Sequence, residues 1–326
     1  METSLGSFRC LCCGRPLDVA RADHDHADMV DERQGALFAN LPPSAGKPIT
    51  FRRPERPLWT ENKAKLIQRY LRYFVFITHN GCYIDGFAGP QRKDSHGTWA
   101  ARLVLESEPK WLREFWLCEM KAEKVRQLQA MVDAQEAVRG RRISVIPGDF
   151  NQTVDTVLAK CNIREGTASF CLFDQHTFEC EWSTIEKVAA FKKSGFKIEL
   201  LYFLASGWLD RSLRGTTRNT DVIARWWGRN DWPSLRGMGG WNRALLLSER
   251  FKNELGYKHV VPWTIHKRGR GRGPVMFHMV HATDHPLGPS LMARAYATAT
   301  KPPESADQIQ MNLKLLGGLG TRPAKV

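Results

Sequence analysis

The chain has 326 residues, 42% of them hydrophobic and 10% aromatic, with 48 Lys+Arg against 34 Asp+Glu and a formal net charge of +14. That apolar content excludes a chain disordered throughout, and the longest uncharged apolar run, Leu200–Leu209, falls short of the ~18 residues a membrane span needs. The first residues hold no apolar core ahead of a small-residue cleavage site, so a cytoplasmic protein of one large domain or two small ones is expected.

The charge is uneven along the chain. Residues 1–57 hold 8 basic and 8 acidic side chains, whereas residues 206–326 hold 19 basic and 8 acidic ones. A basic half suits a polyanionic partner such as nucleic acid. Residues 1–57 read as a polar N-terminal extension without sustained periodicity. Their one chemical feature is Cys10-Leu11-Cys12-Cys13-Gly14, a Cys-x-x-Cys-Gly spacing like one knuckle of a zinc ribbon. A closed site needs two more ligands, and the nearest candidates are His24 and His26. A second Cys pair is absent, so no metal is expected. Of the other cysteines, Cys82, Cys118 and Cys171 lie in short apolar runs and Cys161 and Cys180 are scattered, which indicates a reducing compartment and no disulfide framework.

From Trp59 the pattern becomes regular. Thr60 is a suitable N-cap, and Leu66, Ile67, Tyr70, Leu71 and Phe74 share a helical face. Five strand-like runs follow: Cys82-Tyr83-Ile84, residues 115–118, 143–146, 169–173 and 198–204. Helical stretches lie between them, around 101–105, 121–132, 154–161 and 182–192. Strands alternating with helices predict right-handed βαβ units and a mostly parallel sheet. Two further strand-like runs, 258–265 and 274–282, flank the Gly-rich connector 266–273 and predict an antiparallel hairpin. Residues 206–245 form an Arg/Trp-rich insert, so the main domain spans 58–300, and 301–326 supply a last helix and a tail.

In an open parallel sheet, ligands bind at the carboxyl ends of the strands. Acidic residues follow the first four strands: Asp85, Glu119, Asp149 and Asp174. One such carboxylate often only caps the next helix; four in register ask for another reason. The sharpest segment is Tyr83-Ile84-Asp85-Gly86-Phe87-Ala88-Gly89-Pro90, a strand running into a turn of small residues. It has neither the Gly-x-Gly-x-x-Gly of dinucleotide folds nor the Lys of a P-loop. Instead it resembles the nucleoside-binding turn of S-adenosylmethionine-dependent methyltransferases. In that likeness Asp85, Gly86, Phe87, Ala88 and Gly89 form the cofactor turn. Glu119 accepts the ribose hydroxyls, and Asp149 with Phe150 meets the adenine.

Taken in order, several segments together resemble the three-Cys-motif partner proteins over roughly residues 59–298. They are Lys63 to Tyr70, the 83–90 turn, Trp116-Leu117-Cys118-Glu119, Gly148-Asp149, Phe173-Asp174, and Phe277-His278-Met279-Val280-His281-Ala282 with His285-Pro286. The family is regarded as methyltransferase-like, and its name refers to three cysteines of a neighbouring protein, not to Cys10, Cys12 and Cys13. The resemblance implies an α/β, Rossmann-like methyltransferase sheet of seven strands, mostly parallel with an antiparallel last hairpin, flanked by helices. It also implies S-adenosylmethionine as cofactor and a dedicated protein partner. Gln91 replaces a Gly of the family pattern, and Gly97-Thr98-Trp99 stands where Gly-Ser-Pro is usual. The Asp-Pro-x-Gly after the fourth strand is here Asp174-Gln175-His176-Thr177.

Asp174 and His176 are the candidates for the reacting centre, the one as proton acceptor and the other as general base. For nucleic acid, Trp226, Trp227 and Arg229 of the insert, together with Lys267, Arg268, Arg270 and Arg272 of the hairpin loop, suit stacking and phosphate contact. Trp232 shares that environment, whereas Trp182 and Trp263 read as core. Two functions stay open at this point. One is a methyltransferase acting on nucleic acid; the other is a non-catalytic nucleic-acid-binding adaptor that keeps the fold.

Overall fold

A computed structural model describes residues 62–90, 96–215, 220–267, 273–302 and 304–317. Cys10, Cys12, Cys13, His24 and His26 lie outside these residues, as do Gln91, Arg268, Arg270 and Arg272. The first helix, α1 (Lys63–Thr78), starts after Asn62, so the expected cap at Thr60 lies upstream of the described helix. Its buried stripe includes Leu66, Ile67, Tyr70, Leu71 and Phe74, the face expected from the spacing.

The strands are β1 (Cys82–Asp85), β2 (Glu114–Glu119), β3 (Arg142–Pro147), β4 (Ser169–Phe173), β5 (Glu199–Leu204), β6 (His259–His266) and β7 (Val275–Thr283). They form one seven-stranded sheet in the order β3-β2-β1-β4-β5-β7-β6. β1 to β5 pair in parallel, while β7 runs antiparallel to both β5 and β6. The hairpin expected at the C-terminal end is therefore present, with its second strand inserted next to β5. This is a Rossmann-like sheet of seven strands, mostly parallel with an antiparallel last hairpin.

Helices α2 (Ala100–Leu105), α3 (Ala122–Asp133), α4 (Phe150–Lys160) and α5 (Trp182–Ala190) fill the crossovers where alternation predicted them. The insert is itself helical: α6 (Ser206–Gly215), α7 (Thr220–Trp227) and α8 (Gly240–Asn253). Helices α9 (Gly288–Thr298) and α10 (Ala306–Gly317) follow β7.

Strand alternation sorts the core into two faces. Tyr83, Phe115 and Phe170 stack towards α1, with Tyr70 against Phe170 at 5.8 Å between ring centres. Cys82, Ile84, Trp116, Cys118, Cys171 and Phe173 join the opposite cluster with residues of α4, α5, α7 and α8. A buried carboxylate ties the first face together. Glu199 of β5 accepts from the Tyr70 hydroxyl, from His281 Nε2 at 2.7 Å and from Thr283 Oγ1 at 2.9 Å.

The tryptophans of the insert overturn the reading made from the sequence. Trp226 and Trp227 are only 2% and 3% exposed, and Trp232 is 7% exposed. Two of the polar edges are satisfied internally, since Trp226 Nε1 donates to the Tyr202 hydroxyl at 2.7 Å and Trp227 Nε1 to Asp231 at 2.8 Å. None of the three presents a face to a base. Arg/Trp interleaving here makes a core: the Arg250 guanidinium lies 3.8 Å from the Trp182 ring centre and 4.3 Å from that of Trp227, and it pairs with Glu254 at 2.6 Å. Arg250→Ala removes a buried, stacked and paired cation, and is expected to cost about 3 kcal/mol. Urea unfolding reads this directly; an unchanged midpoint would contradict the packing role.

Neighbouring arginines are likewise engaged. Arg225 pairs with Asp221 at 2.7 Å and with Glu181 at 2.8 Å, and the half-exposed Arg229 pairs with Glu254 at 3.0 Å. Arg243 is buried against Asp210 and the Leu235 carbonyl. Arg211, Arg214 and Lys267 remain exposed.

Candidate active site

The parallel register brings Asp85, Glu119, Asp149 and Asp174 to the carboxyl ends of β1, β2, β3 and β4. They do four different things. Asp149 is a helix cap, since its Oδ1 accepts the Asn151 N–H at 2.9 Å and opens α4. Asp85, 1% exposed, accepts the Phe87 N–H at 3.0 Å and the Tyr83 hydroxyl at 2.8 Å. Glu119, 8% exposed, accepts the Gly89 N–H at 3.1 Å through Oε2 and the Lys121 N–H at 2.9 Å through Oε1. Asp174 forms an ion pair with Lys63 of α1.

The turn 86–89 hangs between two strands. Gly86 N–H donates to the Leu172 carbonyl of β4 at 3.1 Å, and Ala88 N–H to the Cys118 carbonyl of β2 at 2.8 Å. Trp99 Nε1 fixes the Ala88 carbonyl at 2.6 Å. The two glycines are required by protein neighbours. A Cβ on Gly86 would lie 2.5 Å from the Phe150 ring, and one on Gly89 would lie 2.1 Å from Glu119 Oε2. Phe150 is buried beneath the turn, with Phe87 and Phe173 against its ring at 6.5 Å and 5.9 Å. So Asp85, Gly86, Phe87, Ala88, Gly89, Glu119, Asp149 and Phe150 form one neighbourhood, with Phe150 as its floor.

Charge crowds this end of the sheet. Burial pushes the Asp85 carboxyl up to about 7; hydrogen bonds from Phe87 and Tyr83 oppose the shift, while the Asp174 and Glu119 carboxylates add to it. A site that disfavours a further negative charge suits a cationic ligand bearing hydroxyls.

Asp174 does not cap α5, whose N-cap is Glu181. The Lys63 ammonium on Asp174 also lies over Phe203 at 4.5 Å and Phe277 at 5.4 Å. His176 is exposed on the following loop and donates its backbone N–H to Glu179 Oε2 at 2.8 Å. Among the described residues no bond joins its ring to Asp174. The two expected members of the reacting centre are therefore not joined, and Asp174 pairs instead with Lys63. Gln175 and Asn151 brace that loop. Gln175 Oε1 accepts the Cys180 N–H at 2.8 Å; Asn151 Oδ1 accepts the Glu181 N–H at 2.9 Å and its Nδ2 donates to the Glu179 carbonyl at 2.7 Å. At the end of β5, Ser206 Oγ and His278 Nδ1 share a buried bond of 2.6 Å, and burial holds the His278 imidazole down at about 3.

No protein-family profile matches the chain, and no curated protein does. Among solved structures it is similar to a Legionella pneumophila protein of family DUF519 at 11% identity and a TM-score of 0.39, covering 76% of this chain and 94% of that one. It is also similar to the O-methyltransferase TomG of Streptomyces achromogenes, solved in complex with SAM, at 12% identity and a TM-score of 0.36, covering 78% and 98%. The plantazolicin methyltransferase BamL, solved with SAH, shows 8% identity and a TM-score of 0.39, covering 80% and 92%. Likenesses of this size say nothing about the reaction. No helix among the described residues is long and apolar enough to cross a membrane.

Proposed function

We propose that the protein is an S-adenosylmethionine-dependent methyltransferase acting on nucleic acid. The observation that carries this reading is the pair of buried carboxylates, Asp85 and Glu119, framing a turn pinned between β2 and β4. Glu119 already orients Gly89 and Lys121 with one bond to each oxygen, and every carboxylate oxygen can accept a second, which leaves room for two ribose hydroxyls. Asp85 would hold the cationic part of the cofactor. Bound there, S-adenosylmethionine supplies an electrophilic methyl group. Asp174, at the next strand end, accepts a proton from the nitrogen or oxygen being methylated, with Lys63 holding its carboxylate in place. Exposed Arg211, Arg214 and Lys267 provide phosphate contacts, continued in sequence by Arg268, Arg270 and Arg272.

Calorimetric titration of S-adenosylmethionine into the purified protein tests the cofactor site. Saturable binding is expected, weakened roughly tenfold to a hundredfold in Glu119→Ala, the range set by losing hydrogen bonds to a charged group. No binding to the wild type would sink the reading. Binding without methyl transfer to DNA or RNA would favour the second reading, a non-catalytic nucleic-acid-binding partner. The Lys63 ammonium seated on Asp174 and the unusual 174–182 segment speak for it.

A further inference from the structure

The opposite end of the same strands holds a cavity of about 690 Å³. It lies where β2 and β3 begin and where the loops leading into β1 and β4 arrive; β2, six residues long, separates it from the Glu119 end by roughly 17 Å. Four arginines, Arg113, Arg141, Arg142 and Arg164, line it against a single carboxylate, Glu114. None of the ten described lining residues is aromatic or carries a branched aliphatic side chain, and arginines dominate the wall.

Internal bonds account for only part of this charge. Glu114 is taken by Arg142, by Trp116 Nε1 at 2.8 Å and by the Asn162 N–H at 3.0 Å. Arg141 is spent on structure: it donates to the Leu112 and Leu105 carbonyls at 3.2 Å and 3.0 Å and lies over the Phe115 ring at 4.5 Å. Among the described residues Arg113 gives only Nη1, to the Arg139 carbonyl at 3.0 Å. Among the described residues the Arg164 guanidinium has no acceptor; only its backbone N–H is engaged, to Thr167 Oγ1 at 3.0 Å. Two guanidinium forks thus face a roomy cavity with donors to spare. Such forks match phosphate oxygens in pairs.

We infer that this cavity is a second binding site, for a run of consecutive phosphates, remote from the strand-end carboxylates and independent of any methyl transfer. Its volume exceeds a single phosphate, and four arginines against one carboxylate among the described lining residues favour a run of negative charge. The phosphates come either from a free polyphosphate or from the backbone of a nucleic acid.

Sodium tripolyphosphate and a labelled single-stranded oligoribonucleotide, titrated into the full chain and into Arg113→Gln/Arg164→Gln, separate the two sources. The hairpin loop is left intact in both proteins, so a difference between them reports the cavity. Tripolyphosphate is expected to bind the wild type and to lose about tenfold or more in the double variant. If RNA affinity falls in parallel, with its salt slope reduced by about 1.4, the phosphates belong to nucleic acid. If RNA binding is unchanged, they belong to a free polyphosphate. Absence of tripolyphosphate binding to the wild type, or equal binding by the variant, overturns the site. Arg164→Gln alone, at an exposed guanidinium, gives the same direction without any effect on folding.

Discussion

Asp85→Asn should make the protein more stable at pH 8 and, under the proposed function, weaken its hold on S-adenosylmethionine. The wild-type carboxyl has an ordinary value of 3.8 and is pushed up to about 7 in the folded chain, chiefly by burial. Between those values the native state keeps a proton that the unfolded chain releases. Stability therefore falls as pH rises through that window, and the loss is fully developed above about 7. At about 1.4 kcal/mol per unit, the burden on the folded state reaches at most on the order of 4 kcal/mol.

Asparagine carries no such burden, and the local bonds survive the change. Oδ1 still accepts the Phe87 N–H, and the Tyr83 hydroxyl, now a donor to Oδ2, can turn to accept from the new amide. The expected gain at pH 8 is about 1–3 kcal/mol, or a few degrees in Tm, shrinking towards zero near pH 4. Under the proposed function the cofactor responds in the opposite sense. A cation beside Asp85 favours the carboxylate, so the wild-type Kd should rise about tenfold for each pH unit below 7. The variant should bind weakly at every pH with that slope gone. Melting curves and titrations across pH 5–8 read both effects. A variant that is less stable at pH 8, or that keeps the slope, would remove Asp85 from the role given to it.

Why Asp85 was legible in the sequence and its partners were not has a physical answer. Short apolar runs fix strands, and a parallel sheet fixes where strands end, so the positions of Asp85, Glu119, Asp149 and Asp174 follow from local pattern alone. Their separate roles do not. Asp149 caps a helix, whereas Glu119 reaches across to a glycine thirty positions earlier. Lys63 meets Asp174 over 111 positions, a contact that only the docking of α1 on the sheet creates. The insert misled for a different reason. Arginine beside tryptophan is the composition of a phosphate-and-base surface and also of a core in which guanidinium stacks on indole, and Arg250 between Trp182 and Trp227 is the second case. Composition cannot separate the two, because it does not record whether Tyr202, Asp231 and Glu254 are at hand to satisfy the polar edges.

The pairing of Lys63 with Asp174 has the largest consequence of any contact at the strand ends. The side chains are 6% and 9% exposed, so Lys63→Met removes an ammonium from a carboxylate that water barely reaches. Loss of one member of a buried pair costs about 3–5 kcal/mol. Methionine keeps an unbranched apolar side chain in place of the lysine stem but gives up the ammonium's seat over Phe203 and Phe277, so the cost includes those two contacts. Asp174→Asn leaves the buried Lys63 ammonium without its carboxylate and should also be destabilising, softened by an amide oxygen that still accepts from it and by the Phe203 and Phe277 rings beneath it. Combining the two should cost less than the sum of the single changes by about 2 kcal/mol or more. Chemical unfolding of the four proteins completes the cycle, and additive costs would show that the ion pair contributes nothing. Activity separates the same residues along another axis. Under the proposed function Asp174→Asn should abolish methyl transfer and leave the Kd for S-adenosylmethionine within about twofold, since the cofactor rests on Asp85 and Glu119. A variant that transfers methyl groups at the wild-type rate would reduce Asp174 to a structural anchor for α1, and the strand-end carboxylates would then define a cofactor site without a catalytic one.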